Sequence, residues 1–550
     1  KGSALTPLQL IDKESSYSAD LNQDGQIGLL PSGERIDYGF YINDTLNSGA
    51  IVANYQETIH SFMTDTLTEG FWYEGEYQAP TVVNHLVNNG IVLDISDDGD
   101  FDLLVPIVVG YRSGLDSRSN FLVFENSGGS LVYSAAMTQE TPFISGAGAD
   151  EFIYLEYLDT DAVVTVNIDT DRVGEHRFEK PWSMGDIAIL SADPFKNITD
   201  EIVPKAKLPW FDEVGRDTAL NAHSLAVGDL NRDGLDDIVV GDLTKGVFVL
   251  QQNMLGMFDY YVPEFASTLM QGNRLWNEPT LSSSDGGLLL DLHMDDFNGD
   301  GYDDLVIGWG EGSAFSRLFF NNESGGFTLE NSYILPASIY GTDNEFHLRT
   351  LGDDFDQDGD TDLVILRVRA DPYYGGNYLQ FLENDGTGQF SDKTVDRFGD
   401  PALLESTFGE RLEWNGIWEL IDINADGASD IVGYTSISDY QIADVPLVWL
   451  NNGHGIFTKI DIPSVYEGKD WSVTGSPIGW QDFDGDGLLE YVTIQSSWTD
   501  MTGQKSITNF NVYELNQNIL SVIDGVPVTS LAQSNSISSG TTSVYEIPQL

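Results

Sequence analysis

The segment DDFNGDGYDDLVIGWG, residues 295–310, combines two features that decide the fold. Its first part contains the nine-residue pattern Asp-x-Asn-x-Asp-Gly-x-x-Asp, from Asp296 to Asp304, in which oxygen-bearing side chains alternate ahead of a glycine. Its second part, LVIG, is a short apolar run with β-branched residues, which is typical of a buried strand. The segment therefore predicts an acidic loop that leads directly into a buried β-strand.

This pattern recurs along the chain at a nearly constant spacing. The six copies start at Asp94, Asp229, Asp296, Asp354, Asp422 and Asp482, and the last five of these starts are 58 to 68 residues apart. An alternating strand precedes each loop and the apolar strand follows it directly. Two further strands come after these, as in VFVLQQN from Val247 and GMFDYYV from Gly256. Four short strands in each unit of about 60 residues are typical of a propeller blade. The predicted fold class is all-β: a seven-bladed β-propeller with four antiparallel strands per blade and the acidic loops between the first and second strands.

The spacing also predicts how the chain is divided. The gap from Asp94 to Asp229 is about two repeats, so we expect one degenerate blade without an acidic loop near Phe143 to Lys180. The stretch 182–218 fits neither neighbouring blade and is interpreted as an insertion. We place the propeller at residues 35–518, with an N-terminal linker at 1–34 and a C-terminal strand or tail at 519–550. Strands between Arg35 and His60 are candidates to close the ring, although a C-terminal segment is an open alternative.

The acidic loops predict calcium sites. Positions 1, 3, 5 and 9 supply side chains and position 7 can supply its carbonyl, and Ca²⁺ prefers six to eight such hard oxygens. An EF-hand is excluded, because it needs Glu at position 12, where the five consecutive loops have Val240, Ile307, Ile365, Gly433 and Thr493. We expect about six structural Ca²⁺ ions. The predicted metal ligands are Asp94, Ser96, Asp98, Asp100, Asp102, Asp229, Asn231, Asp233, Leu235, Asp237, Asp296, Asn298, Asp300, Tyr302, Asp304, Asp354, Asp356, Asp358, Asp360, Asp362, Asp422, Asn424, Asp426, Ala428, Asp430, Asp482, Asp484, Asp486, Leu488 and Glu490.

A seventh, incomplete copy of the loop lies near the start of the chain. Asp20, Asn22 and Asp24 repeat its first half, but position 9 is Gly28 and the shell of ligands is incomplete. These three residues are candidate metal ligands, and an acidic turn without metal is an equally open interpretation.

Two of the repeats resemble a known family. GDLNRDGLDDIVVGD, residues 228–242, and the segment 295–310 resemble FG-GAP/VCBS repeats, and the resemblance covers about residues 88–516. Such repeats form the propeller of integrin α subunits and of many bacterial extracellular proteins, where the acidic loop holds structural Ca²⁺. The Gly-Ala-Pro part of the repeat is absent here, so the resemblance implies no integrin-like partner. It implies a module of a large bacterial RTX-type adhesin, outside the cell or on the bacterial cell surface.

The composition narrows the partners. The 550 residues include 88 acidic and 25 basic side chains, for a net charge of −63, and this charge repels nucleic acid and anionic membranes. The chain has no Cys, which excludes disulfides and thiolate metal sites. No apolar run approaches the ~20 residues that span a bilayer, so we expect no membrane insertion. The start at Lys1, without Met or a signal peptide, predicts a piece of a longer protein with flanking modules.

The connections opposite the acidic loops are candidates for ligand binding. They are long and rich in aromatic and polar residues, and an aromatic ring can stack on a sugar while polar groups bind its hydroxyls. Burial of these aromatics within the loops is the competing interpretation. We expect a glycan or another cell-surface ligand on this face. The candidate residues are Trp276, Trp309, Tyr340, Arg367, Arg369, Tyr373, Tyr374, Trp414 and Trp498.

Two other functions stay open. Some propellers of related architecture are polysaccharide lyases, for which a His on an inner strand, such as His223, His293 or His347, would be the candidate base. Lining of the channel or packing in the core is the favoured interpretation of these histidines, and the chain has no Gly-x-Ser-x-Gly, His-Glu-x-x-His or P-loop motif. A spacer that binds nothing is the third hypothesis. The sequence favours a binding module over an enzyme and names no catalytic residue.

Overall fold

The structure is a computed structural model of the chain, and its description covers most of the repeats. The described residues are 39–42, 71–73, 76–78, 80–82, 91–95, 98–111, 118–127, 131–134, 139–141, 149–166, 187–192, 195–203, 222–242, 246–263, 288–310, 316–322, 326–342, 344–371, 375–399, 415–424, 426–437, 441–442, 447–460, 475–483, 489–498 and 505–516.

Within these residues the regular secondary structure is almost entirely β-strand, as the sequence predicts. The strands are β1 (Gly39–Ile42), β2 (Phe71–Tyr73), β3 (Glu76–Gln78), β4 (Pro80–Val82), β5 (Ile91–Leu93), β6 (Asp102–Tyr111), β7 (Arg118–Asn126), β8 (Leu131–Tyr133), β9 (Gln139–Thr141), β10 (Ala149–Leu155), β11 (Thr160–Val166), β12 (Ala188–Ser191), β13 (Lys196–Asn197), β14 (Ala222–Gly228), β15 (Asp237–Asp242), β16 (Gly246–Gln252), β17 (Phe258–Tyr261), β18 (Leu288–Asp295), β19 (Asp304–Gly310), β20 (Arg317–Asn321), β21 (Phe327–Ile334), β22 (Glu345–Asp353), β23 (Asp362–Arg369), β24 (Gly375–Asn384), β25 (Phe390–Asp392), β26 (Asn415–Ile421), β27 (Asp430–Ile437), β28 (Gln441–Ile442), β29 (Leu447–Asn451), β30 (Phe457–Ile460), β31 (Gly475–Gln481), β32 (Glu490–Trp498) and β33 (Lys505–Asn516). Two short helices are α1 (Thr199–Ile202) and α2 (Thr394–Phe398).

Six blades of a β-propeller are each built from one continuous stretch of chain. Blade 2 has the strand order β10-β11-β12-β13, blade 3 β14 to β17, blade 4 β18 to β21 and blade 5 β22 to β25. Blade 6 runs β26-β27-β29-β30, with β28 also paired to β27. In blade 1, β4 and β5 both pair with β6, and β8 and β9 both pair with β7, so two short strands occupy its first position and two its fourth. β2 and β3 form a separate hairpin.

A further sheet combines residues from both ends of the described chain. Its order is β31-β32-β33-β1, and β1 is antiparallel to β33 with Gly39 opposite Asn516. This composite sheet meets blade 1, where the Asn126 side-chain amide donates to the Phe483 carbonyl at 2.7 Å. The predicted count of seven blades is therefore wrong: the described residues form six contiguous blades and one composite sheet.

Blade 2 corrects the predicted insertion. The degenerate blade was expected near Phe143 to Lys180, and its first two strands, β10 and β11, lie there. Its third and fourth strands, β12 and β13, fall within the stretch 182–218 that the sequence assigned to an insertion. Phe195, within the same stretch, is buried in the core that blade 2 shares with blade 1. The turn between β10 and β11 has only four residues, 156–159.

The hydrophobic core lies between the blades. Each second strand is covered by neighbours on both sides, which explains why DLVIGWG of β19 is buried at every residue. Val239 and Val249 of blade 3 pack with Leu305 and Ile307 of blade 4, and Val306 on the other side of β19 packs with blade 5. Packing between neighbouring blades therefore stabilises the fold.

The antiparallel order assigns every connection to one of two faces. The first-to-second and third-to-fourth turns lie on one face, which we call the loop face. The second-to-third connections and the connections between blades lie on the opposite face. The first strands β10, β14, β18, β22 and β26 contact one another in succession and are the innermost strands. Among the described residues, no helix has the length and apolar character needed to cross a membrane.

Candidate metal sites and the opposite face

The acidic loops lie where the sequence places them. Each follows the first strand of its sheet, and its ninth residue is the first residue of the second strand, as Asp304 is in β19 and Asp362 in β23. The second residue of the loop points inward and anchors it, since Phe297 and Phe355 are each 1% exposed. Each loop is therefore fixed to the core at both ends.

The loops fold around their own carboxylates. In blade 5, the Asp354 carboxylate accepts from the backbone N–H of Asp358 and of Gly359, both at 3.0 Å, and Asp358 accepts from Asp360 at 3.1 Å. The loops of blades 1, 3, 4 and 6 repeat the two bonds to position 1. The glycine at position 6 has positive φ in all five of these loops, 98° at Gly359, which a residue with a Cβ rarely adopts. The residues of the sequence pattern are thus those that this backbone conformation requires.

The loop of blade 5 brings three carboxylates together. Asp354, Asp356 and Asp358 each place one oxygen within 4.8 Å of the others, an arrangement that could hold a metal ion. Asp356 Oδ1 is buried and has no hydrogen-bond partner. A hard cation would supply that partner and relieve the repulsion among the carboxylates. The residues present therefore fit Ca²⁺.

The acid at position 9 has a divided role. One oxygen of Asp304 and of Asp362 accepts the backbone N–H at the end of the third strand, from Asn321 at 2.8 Å and Asn384 at 2.9 Å. The other oxygen of each is buried without a hydrogen-bond partner. Burial raises the pKa of Asp304 to about 7 and that of Asp362 to about 8. A carboxylate that is costly to ionise alone is what a bound cation would stabilise.

Four of the six acidic loops are tied to the next blade by an asparagine that the loop pattern does not single out. Asn321 of blade 4 donates to the Leu230 carbonyl in the loop of blade 3 at 2.7 Å and to Asp303 O of its own blade at 3.0 Å. The same contact to the preceding loop is made by Asn126, Asn384 and Asn451. Its signal in the sequence is the Asn that ends the third strand in FLVFEN, RLFFN, LQFLEN and LVWLN. We call these four residues the asparagine clamps.

Replacing one clamp is expected to destabilise the whole propeller. Asn321→Ala removes the side-chain donor to the buried Leu230 carbonyl and to the partly buried Asp303 carbonyl, which costs roughly 2–4 kcal/mol of unfolding free energy. Asn331→Ala is the matched control, because Asn331 donates to the Phe320 carbonyl at 3.2 Å from an exposed position. Chemical denaturation in calcium-containing buffer would measure both. Equal losses for the two variants would show that the clamp contributes nothing beyond an ordinary surface hydrogen bond.

Several predicted ligands lie outside what the structure describes. These are Ser96, Asp484, Asp486 and Leu488, together with Asp20, Asn22 and Asp24 of the N-terminal loop; Glu490 is described only as the first residue of β32.

On the opposite face, the connection between blades 4 and 5 is held in a fixed shape. The Asn344 side-chain oxygen accepts from the Asp371 N–H at 2.7 Å, and Ser338 N–H donates to Glu345 at 2.9 Å. This connection presents Tyr340, half-buried, with the Arg369 guanidinium 5.8 Å from the centre of its ring. Ile339 beside it is 53% exposed and was not singled out from the sequence. The Tyr340 ring also packs against the buried Tyr378, with 5.9 Å between the ring centres, and its hydroxyl oxygen is buried. The face thus brings together a half-buried aromatic ring, a half-buried cation and an exposed apolar side chain.

Two other candidates for ligand contact are core residues. Trp309 is 5% exposed and packs between blades 3 and 4, so its prediction as an exposed aromatic is wrong. Arg367 is fully buried, and its guanidinium donates to Gln380 Oε1 and Ser316 Oγ, both at 3.0 Å. Both residues lie near the end of a second strand, where the exposure of a side chain depends on whether the neighbouring blade covers it.

The remaining candidates for ligand contact lie outside the described residues or at their edge. Trp276, Tyr373, Tyr374 and Trp414 lie outside them, and Trp498 is described only as the last residue of β32.

His347, on the inner strand β22, is a structural residue, whereas His223 is described only as a residue of β14. His347 is fully buried and hydrogen-bonded, with Ser316 Oγ 2.9 Å from Nδ1 and Thr350 Oγ1 2.6 Å from Nε2. Burial lowers the pKa of His347 to about 4, which keeps the ring neutral. His293 packs against Gly352 of the next blade, and burial lowers its pKa as well. A base for an external substrate needs access, which His347 lacks.

Comparison with known proteins gives weak but consistent similarities. No protein-family model matches the chain. It is similar to integrin alpha-8 of Gallus gallus, with 27% identity over 198 residues, which are 33% of this chain and 19% of the integrin. Among solved structures, it is similar to the exotype rhamnogalacturonan lyase YesX (14% identity, TM-score 0.35, 82% of this chain and 68% of that chain). It is also similar to the Dos1 propeller (10% identity, TM-score 0.34, 80% and 95%). The chain spans about a fifth of the length of the integrin, and this similarity is consistent with the propeller fold.

Proposed function

We propose that this protein is a calcium-stabilised, ligand-binding module of a secreted bacterial surface protein, and that it binds a glycan on the face opposite the acidic loops. The observation that carries the proposal is the pair formed by Tyr340 and Arg369 on a connection fixed by hydrogen bonds. Its setting would be adhesion, between flanking modules of a longer chain outside the cell.

The scaffold of this proposal is the propeller of six contiguous blades. The composite sheet, in which the N-terminal strand β1 pairs with β33, lies beside blade 1. Residues 1–34 are a linker and residues 519–550 a tail. About six Ca²⁺ ions bind in the acidic loops, in the positions that the orphan oxygens of Asp304 and Asp362 support. Their role is structural, since they lie on the face away from the ligand.

The chemistry of the proposed site suits a sugar ring. The apolar side of a pyranose can stack on an aromatic ring, while its hydroxyls accept from a guanidinium. Ile339 extends the apolar surface next to Tyr340, and its exposure leaves it free for contact. Arg369 is the charged member of the pair and gives the site a preference for neutral or acidic sugars.

A glycan array probed with the calcium-loaded protein tests the proposal. Arg369→Ser is expected to weaken binding to the sugars found by about tenfold, the loss of ~1.4 kcal/mol. Arg232→Ser is the matched control, because Arg232 lies 5.5 Å from the ring of Tyr302 in the same kind of pair on the loop face. Binding to no sugar, or equal weakening by both variants, would contradict the proposal. Cleavage of a polysaccharide by the wild-type protein would replace it with an enzyme.

A further inference from the structure

One place on the loop face has no acidic loop among the described residues, and there the surface is apolar. The first-to-second turn of blade 2, residues 156–159, carries Tyr157 and Leu158, which are 48% and 47% exposed. The third-to-fourth turn of blade 3, residues 253–257, carries Met254 and Leu255, which are 74% and 82% exposed. We call these four side chains the turn patch.

The two turns are in contact. A Cβ added at Gly256 would lie 3.0 Å from the Cβ of Tyr157, so the backbone of one turn rests on the side chain of the other. Single exposed apolar residues are common on proteins, but four large ones on two touching turns concentrate exposed apolar surface in one place, which is typical of an interaction site.

Hydrogen bonds from side chains hold the shape of both turns. Asn253 Oδ1 accepts from Leu255 N–H at 3.0 Å and from Met257 N–H at 3.3 Å, and its amide donates to Asp259 at 2.9 Å. In blade 2, the Tyr154 hydroxyl donates to Asp159 at 2.7 Å. A surface fixed in this way loses little conformational entropy when it is covered.

The rim of the turn patch is acidic. Glu156 and Asp159 flank its two residues in blade 2, Asp161 follows at the start of β11, and all three are exposed. The loop of blade 3 begins at Asp229, and its Asp236 reaches the backbone of blade 2, where it accepts from Tyr154 N–H at 3.1 Å. A second copy of a chain with net charge −63 would be repelled here.

We propose that the turn patch is a docking surface for a basic protein segment, in which apolar side chains are flanked by Lys or Arg. The apolar residues would cover Met254 and Leu255, and the basic residues would pair with the acidic rim. This surface is separate from the proposed glycan site, which lies on the other face, so each can be present without the other.

The test uses a labelled synthetic peptide of Leu and Lys in amphipathic order, with binding to the calcium-loaded protein followed by fluorescence anisotropy. A second peptide with every Leu replaced by Ser measures the attraction of charge alone. The Leu–Lys peptide is expected to bind about tenfold more tightly than the Ser–Lys peptide. The double variant Met254→Ser, Leu255→Ser is expected to abolish this difference, because it removes the most exposed part of the turn patch.

Val395→Ser is the control, because Val395 is 62% exposed on α2 in blade 5, away from the turn patch, and this variant keeps the preference. Equal binding of the two peptides to the wild-type protein would overturn the proposal, and so would a preference that survives in the double variant. Self-association that the double variant removes would assign the surface to a second copy instead. Thermal melts of the variants show that they fold, since all replaced side chains are exposed.

Discussion

Removing calcium with a chelator is expected to lower the thermal midpoint of this protein more than any single substitution. Each site filled at 100 times its dissociation constant adds about 2.7 kcal/mol to the free energy of unfolding. Several such sites together exceed the ~5–15 kcal/mol by which a typical protein is stable. Without the cation, the buried oxygens of Asp304 and Asp362 lose the partner proposed for them.

The measurement is a thermal melt with calcium, with a chelator, and with the chelator followed by excess calcium. Magnesium in place of calcium is expected to restore little, because it demands a tighter octahedron than these loops offer. Metal analysis of the dialysed protein gives the number of ions, for which the proposal is about six.

A single loop can be tested separately. Asp358→Asn removes one carboxylate from the three that meet in blade 5 and is expected to release one ion equivalent and lower the midpoint. Asp396→Asn is the control, because it makes the same change of charge at an exposed position of α2 in the same blade. A midpoint that does not respond to the chelator would contradict the calcium proposal as a whole. Equal effects of the two variants would show that the change in net charge, and not the loss of a metal ligand, lowers the midpoint.

The loops were predictable because their chemistry is local. Nine consecutive residues contain the carboxylates, the glycine with positive φ and the apolar anchor, so the pattern alone predicts the shape found at Asp354 to Asp362. The position of the loops between the first and second strands followed from the strand on either side.

Burial on the opposite face was not predictable in this way. Trp309 and Arg369 both stand near the end of a second strand, yet one is in the core and the other is half-exposed. The difference depends on which neighbouring blade covers the side chain, and a single repeat contains no information about its neighbour. The asparagine clamps were missed for the same reason, because the carbonyl that Asn321 binds lies 91 residues away.

Blade 2 shows a different limit. Its strands β12 and β13 have four and two residues, separated from β11 by a long connection, and no acidic loop marks their place. A repeat is recognised in a sequence by a feature that recurs, which in this chain is the acidic loop. Blade 2 has the hydrophobic core of the other blades but no acidic loop. Its core residues Val164 and Ile189 are both fully buried.

Arg367→Met is expected to be among the most destabilising single substitutions in the described part of the chain. The guanidinium lies in a buried polar network. Its partner Gln380 donates in turn to Asp392 at 3.0 Å, and its partner Ser316 is hydrogen-bonded to His347. Glu345 Oε1 lies 3.7 Å from the guanidinium and is itself largely buried. Removing the cation leaves that carboxylate without its charge partner, which costs about 3–5 kcal/mol of unfolding free energy.

Arg369→Met separates this structural role from ligand binding. Arg369 is two residues further along β23 and half-buried, and its contact with Tyr340 contributes only about 0.5–1 kcal/mol to stability. Arg367→Met should therefore lower the denaturation midpoint and preserve sugar binding in the folded protein. Arg369→Met should instead weaken sugar binding and leave the denaturation midpoint nearly unchanged. Combining Arg367→Met with Glu345→Gln is expected to recover part of the loss, because the uncompensated charge is then absent. If Arg367→Met costs no more than Arg369→Met, the buried network does not hold blades 4 and 5 together, and packing alone does.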